Sequence, residues 1–222
     1  MRGTLVCVCG PDAAGKTTLI NEFINDYPGW ALFKFPNRET PNGRKIHKIL
    51  TGELKVSKAV ELKLFADNRA EQRSAIIDCL MKGTNVILDR YAYCSLAYTM
   101  TKQYQEVFQR KANSDTLLSE DLTFQNVLHF DRDNLKPDFA IIVEGNYLHT
   151  RENAELYDGL PREILYNNYV VSMLNTKTNF CVIKSGRDAS FIMKKKIMNY
   201  GLPISQQIET FGNQKQKRRR FC

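Results

Sequence analysis

No apolar run in the 222-residue chain is long enough to cross a bilayer as a helix, and no serine-rich or proline-rich linker divides it. The first absence excludes a helical membrane span, and no membrane partner is expected. The second, at this length, points to one large domain, expected over residues 1–211. The opening RGTLVCVCG is too short for a secretory signal, so a soluble, cytoplasmic protein is expected. The six cysteines include no C-x-x-C pair, and the three histidines stand at no zinc-ligand spacing. Cys7 and Cys9 instead read as small apolar core residues in a reducing compartment. No internal repeat is present.

Acidic residues are missing from the last eleven positions, GNQKQKRRRFC, which carry five positive charges. Taking those five from the formal net charge of +8 leaves a body of only +3, the balance of a protein that handles small anions rather than long polyanions. The segment 212–222 reads as a disordered basic arm. It is the one route by which nucleic acid or a nuclear address would enter.

What is present is an alternation of short apolar runs with longer amphipathic ones. TLVCVCG, WALFKF, NVILD, FAIIV and FCVI read as five strands, with helical segments between them. The expected fold class is α/β: a five-stranded parallel sheet flanked by helices on both faces, with a small lid at about 144–160. Residues 57–81 carry Leu62, Phe65, Ala66, Ala70, Ile76, Ile77 and Leu80 at helical spacing, and Gly83 supplies a stop. Element boundaries are least defined over 99–135.

GPDAAGKT, Gly10 to Thr17, satisfies G-x-x-x-x-G-K-S/T directly after a strand and at the start of a helix. In that setting backbone N–H groups and the helix N-terminus cradle phosphates; Lys16 reaches the β and γ groups, and the Thr17 hydroxyl ligates Mg²⁺. Gly10, Pro11, Asp12, Ala13, Ala14, Gly15, Lys16, Thr17 and Thr18 are therefore the expected ATP-binding set, in a P-loop kinase. No N-K-x-D guanine reader occurs, and D-x-x-G occurs only at Asp12–Gly15 and Asp26–Gly29, neither at a later strand end. A GTPase is thereby disfavoured. Asp89, which ends NVILD, is the expected strand-end carboxylate for Mg²⁺ or its water shell.

Asp89 is followed by Arg90, and neighbouring strand residues point to opposite faces, so the two need separate partners. Arg38 and Arg69 also stand among apolar neighbours, where arginines pair with anions or flat polar edges. FPNR, LFADNR and DRYAYCSLAYT, in this order after the cradle, resemble the thymidylate kinase family, with its F-P-x-R, L-F-x-x-N-R and D-R-Y-x-x-S motifs and a following aromatic. KPD at Lys136–Asp138 and ELYD at Glu155–Asp158 extend the similarity over about residues 4–175.

The resemblance implies that Arg38 and Arg90 grip the acceptor phosphate of dTMP, Phe65 stacks on thymine, and Arg69 bonds its O4. It further implies that Asp12 contacts the sugar 3′-hydroxyl and that Tyr98 lies under the sugar; Phe35, Cys94, Ser95 and Tyr157 complete the expected acceptor site. The implied reaction moves the γ-phosphoryl of MgATP onto dTMP, giving dTDP and ADP, with Lys16, Asp89, Arg90 and Arg151 as the catalytic set and a homodimer as the assembly. A deoxynucleoside kinase, a broader pyrimidine nucleotide kinase and a weakly active P-loop protein that binds nucleic acid remain alternatives. The deoxynucleoside kinases carry a glutamate at the end of the second strand, where this chain has Phe35 and Pro36, which favours a nucleotide acceptor. Three departures from the family pattern stand out: Cys9 replaces a glutamate, Cys94 replaces the motif serine, and Ala13 occupies a cradle position that many eukaryotic members fill with arginine. The missing cation is expected from the lid, at Arg151 or else Arg162.

Overall fold

Leu5–Cys9 form β1, and all five of its residues are buried. Their side chains alternate: Val6 and Val8 enter one core, while Leu5, Cys7 and Cys9 enter another on the opposite face of the sheet. A strand buried on both sides reads as an unbroken apolar run, which is why the two cysteines are apolar core residues here. The computed structural model describes residues 2–112 (of 107–112 the backbone only), 123–145 and 159–200. Arg151, Tyr157, ELYD, all but the ends of the expected lid and the tail 212–222 lie outside the described residues.

After β1 the chain runs through α1 (Lys16–Asp26), β2 (Ala31–Lys34), α2 (Pro41–Leu50), α3 (Lys58–Ala70), α4 (Arg73–Met81), β3 (Val86–Asp89) and α5 (Ala92–Ala112). Then come α6 (Phe124–Phe130), β4 (Phe139–Glu144), α7 (Arg162–Asn175), β5 (Phe180–Lys184) and α8 (Ala189–Met198). The sheet order is β2-β3-β1-β4-β5, and every pairing is parallel. Helices α1 and α8 cover the face that buries Val6 and Val8; α4, α5 and α7 cover the other. The expected five-stranded α/β sheet is thus present. β1 lies between β3 and β4, so the order reverses at its carboxyl end, where open α/β sheets bind ligands.

The register aligns Val8 with Asp89, so the segment after β1 and the segment after β3 leave the sheet side by side. Asp138 of KPD fixes the start of β4 beside β1 by accepting the Leu5 amide at 2.8 Å and pairing with Arg2. The helical pattern of 57–81 resolves into two helices that break at Glu71–Gln72. The Glu71 carboxylate is held there by Asn42 at 3.0 Å and Asn68 at 3.2 Å, turning the chain against α2. Gly83, at φ 79°, follows α4 in the left-handed conformation that suits a helix stop.

Candidate active site

The cradle follows from backbone conformations that most residues avoid. Gly10, Ala13 and Gly15 have φ of 139°, 55° and 85°. At Gly10 a Cβ would stand 2.4 Å from the Val143 carbonyl oxygen, so only glycine fits beneath the loop. Ala13 adopts a left-handed conformation without glycine's freedom, the kind of local strain that collects at ligand clamps. No side chain caps the N-terminus of α1, so its first N–H groups face the cradle.

Lys16 is only 5% exposed and donates to the Pro11 carbonyl. Burial, and next the Arg90 guanidinium, pull its ammonium down to about 7. Pro11 and Ala14 are buried, whereas Thr17 and Thr18 are exposed in the first turn. Asp89, 8% exposed, ends β3 beside this loop. The described residues hold no group of three or more His, Cys, Asp or Glu able to cage a metal ion. One hydroxyl and one carboxylate at the mouth of a phosphate cradle fit Mg²⁺, which keeps waters and phosphate oxygens among its ligands.

Arg90 leaves the sheet at φ 66°, rare for a long side chain, with its amide bonded to the Val8 carbonyl at 2.9 Å. That turn aims the guanidinium back across β1. It pairs with the Asp12 carboxylate and lies 3.4 Å from both the Gly10 carbonyl and the Tyr98 hydroxyl. Tyr98 in turn donates to Asp12 at 2.6 Å. Arg38 is exposed, with Nη1 3.0 Å from His47 Nδ1. Arg162, the first residue of α7, donates to the backbone carbonyls of Asp12 and Gly145.

Every described residue expected at the acceptor (Asp12, Phe35, Arg38, Phe65, Arg69, Arg90, Cys94, Ser95 and Tyr98) lines one cavity of about 220 Å³. Phe35 closes one wall with its ring edge against Tyr91, centroids 5.4 Å apart. Phe65 and Arg69 sit four residues apart on α3 and therefore share a face. Arg69 is held firmly: Nε and Nη2 donate to the two carboxylate oxygens of Asp131 at 2.7 and 2.6 Å, and Nη1 donates to Ser95 Oγ at 3.0 Å. Cys94 is buried, and desolvation pushes its thiol well above the ordinary range, as it does for Cys9. Both are neutral thiols under the cavity, not nucleophiles.

A thymidylate kinase family model matches residues 8–133. The chain belongs to the thymidylate kinase family. It is 36% identical over 105 residues to a thymidylate kinase of Schizosaccharomyces pombe, covering 46% of this chain and 50% of that relative. It is 34% identical over 107 residues to one of Dictyostelium discoideum, covering 46% and 48%. The chain spans about half the length of the curated relatives it matches. A solved thymidylate kinase from Candida albicans, described as revealing the origin of broad substrate specificity, superposes with a TM-score of 0.73 at 25% identity. That match covers 96% of this chain and 93% of the Candida chain.

Against the family motifs, three contributors were not singled out from sequence. Asn68, 1% exposed within LFADNR, accepts the Asn37 amide at 2.8 Å and donates to the Asn37 carbonyl at 3.0 Å and Thr40 Oγ1 at 2.7 Å. It thereby ties FPNR to α3 and sets the backbone that carries Arg38. Tyr169 on α7, fully buried, reaches the Gly10 carbonyl at 3.3 Å from below. Asp131 is the third. Asn68 sits inside a motif already in hand, whereas Asp131 stands alone in the stretch whose boundaries were least defined.

Proposed function

We propose that the protein transfers the γ-phosphoryl group of MgATP to dTMP, yielding dTDP and ADP, as a step toward dTTP. The observation that carries this reading is the polarity of the cavity. One end has Arg90 against Asp12 of the cradle, with Arg38 also on the wall; the other has Phe65 and an arginine whose charge is already cancelled by Asp131. A nucleoside monophosphate has this polarity, charged at one end and flat and neutral at the other.

The acceptor needs little activation, because a phosphate monoester has a second pKa of about 6 and is largely ionised at neutral pH. What the chain supplies is alignment and positive charge for two polyanions that repel. Lys16 and the N–H groups of α1 hold the donor phosphates. Arg38 and Arg90 hold the acceptor, and Arg90 can exchange its Asp12 partner for phosphate oxygens. Thr17 and Asp89 would hold Mg²⁺, which neutralises charge on the donor phosphates. Arg162, already against the cradle backbone, is the described residue best set to stand in for the cation missing at Ala13, with Arg151 the other candidate. Phe35 and Pro36 offer no carboxylate at the end of β2 to deprotonate a neutral hydroxyl, which supports a nucleotide over a nucleoside acceptor.

ADP release from MgATP in the presence of dTMP, dUMP, dCMP, thymidine and deoxycytidine tests the reading. dTMP is expected to dominate. Turnover of thymidine with none of dTMP would overturn the assignment. The resemblance extends the proposal to a homodimer, which light scattering of the purified protein decides.

A further inference from the structure

Arg69, on the cavity wall at the base end, belongs to a buried ion pair that binding a neutral base does not by itself require. The side chains of Arg69 and Asp131 are 3% and 8% exposed, and they meet as a two-pronged pair across 62 residues of chain. Asp131 is itself positioned: Asn134 Nδ2 donates to its Oδ1 at 2.8 Å and to the Ala66 carbonyl on α3 at 3.2 Å. Ser95 takes a third guanidinium hydrogen, and the Tyr91 ring centroid lies 5.9 Å from Arg69 Cζ. A guanidinium has five N–H donors. Three are committed to protein, which leaves one on Nη1 and one on Nη2.

The nearby Lys58–Glu61 pair, at 3.3 Å with Glu61 on the cavity wall, is also internally neutral. The base end therefore carries no net charge from these four residues, whereas among the other charged residues that line the cavity Arg38 and Arg90 outnumber Asp12. A free buried arginine would recruit phosphate; one neutralised along an edge offers only fixed donors.

Building on the proposed dTMP reading, we propose that Asp131 is a positioning residue. It cancels and orients Arg69 so that the two remaining N–H groups select a carbonyl oxygen on an uncharged base and reject both an amino group and a phosphate. Charge cancellation and orientation come from one carboxylate, and the ligand is thereby forced to bind in a single direction.

Calorimetric binding of dTMP, dCMP and 2-deoxyribose 5-phosphate to the full chain tests this without relying on turnover. In D131N, the Kd for dTMP is expected to rise at least tenfold and the preference for dTMP over dCMP to shrink. The Kd for 2-deoxyribose 5-phosphate, which has no base, should stay within twofold. A merely structural role would weaken dTMP and the sugar phosphate together, and that result would overturn the inference, as would an unchanged Kd for dTMP. If D131N does not fold, Asp131→Glu keeps the charge but displaces the guanidinium, and a smaller loss confined to dTMP, about threefold, is expected; equal losses for both ligands would overturn the inference. Wild-type protein that binds dTMP more tightly than the sugar phosphate yet releases no ADP would overturn the kinase reading alone.

Discussion

Two arginine–aspartate pairs place their arginines on the cavity wall, and they differ in what surrounds them. Arg69–Asp131 is nearly sealed, its side chains 3% and 8% exposed, and among the described residues the carboxylate is held by Arg69 and Asn134. Arg90–Asp12 is more open, each side chain 19% exposed, and Asp12 divides its oxygens between Arg90 and the Tyr98 hydroxyl. Burying an ion pair costs desolvation that the attraction only just offsets, so a sealed pair is expected to stay made. On the proposed reading the open pair is the one to be traded for a ligand. The same two residue types would then give a fixed donor at one end and an exchangeable phosphate grip at the other.

The sharpest way to break that contrast is Arg90→Ala. Turnover with dTMP is expected to fall by roughly three orders of magnitude, the scale of losing a positioned cation in phosphoryl transfer, while ATP affinity stays near wild type. Steady-state kinetics with separate ATP binding checks this; lost ATP affinity with intact dTMP affinity would put Arg90 on the wrong phosphate. Arg162→Ala comes next. Its kcat is expected to drop about a hundredfold with little change in either KM, the pattern of a contact made mainly in the transition state. Near-normal kcat would move the missing cation to Arg151.

These expectations rest on parts of the site that were unequally legible in the sequence. The cradle was fully legible because its chemistry is contiguous, Gly10 to Thr17, between a strand and a helix. The five strands were legible for a similar reason, being short apolar runs bounded by polar ones. Asp131 was not, because its meaning comes from a contact with a residue 62 positions away and no local pattern marks it. Residues 99–135 obscured it further, since α5 runs on to Ala112 through polar sequence, and α6 is only seven residues long with a single fully buried side chain, Val127. The break between α3 and α4 was hidden too: apolar spacing continues across Glu71–Gln72, where the Glu71 carboxylate is bonded by Asn42 and Asn68 from outside that spacing.

Asn68→Ala sharpens the comparison on the phosphate side. It deletes the amide that joins FPNR to α3 and leaves partly buried backbone groups of Asn37 without that partner, so unfolding by denaturant should show a loss of about 1–2 kcal/mol. The dTMP KM should rise a few-fold as Arg38 loses its fixed backbone. An unchanged midpoint would show that the loop holds without it.

The smallest expected effect is a proton. Lys16, lowered to about 7, is largely neutral at pH 8 in the ligand-free protein, and donor phosphates should restore its charge. ATP binding at pH 8 should therefore take up a fraction of a proton, measurable by calorimetry in buffers of different ionisation enthalpy and diminished in Lys16→Met. The linked stability has a definite sign. The folded value lies below the unfolded one, so between about 7 and 10.5 the unfolded chain binds more protons and this group's contribution rises with pH. It is lost as pH falls through 7.

The central claim is that the open end of the cavity joins a phosphate to a phosphate. Phosphorus NMR of the purified protein with MgATP and dTMP tests it most directly. The account predicts dTDP and ADP appearing in equal amounts, with inorganic phosphate negligible. ADP accompanied by inorganic phosphate and no dTDP would contradict it.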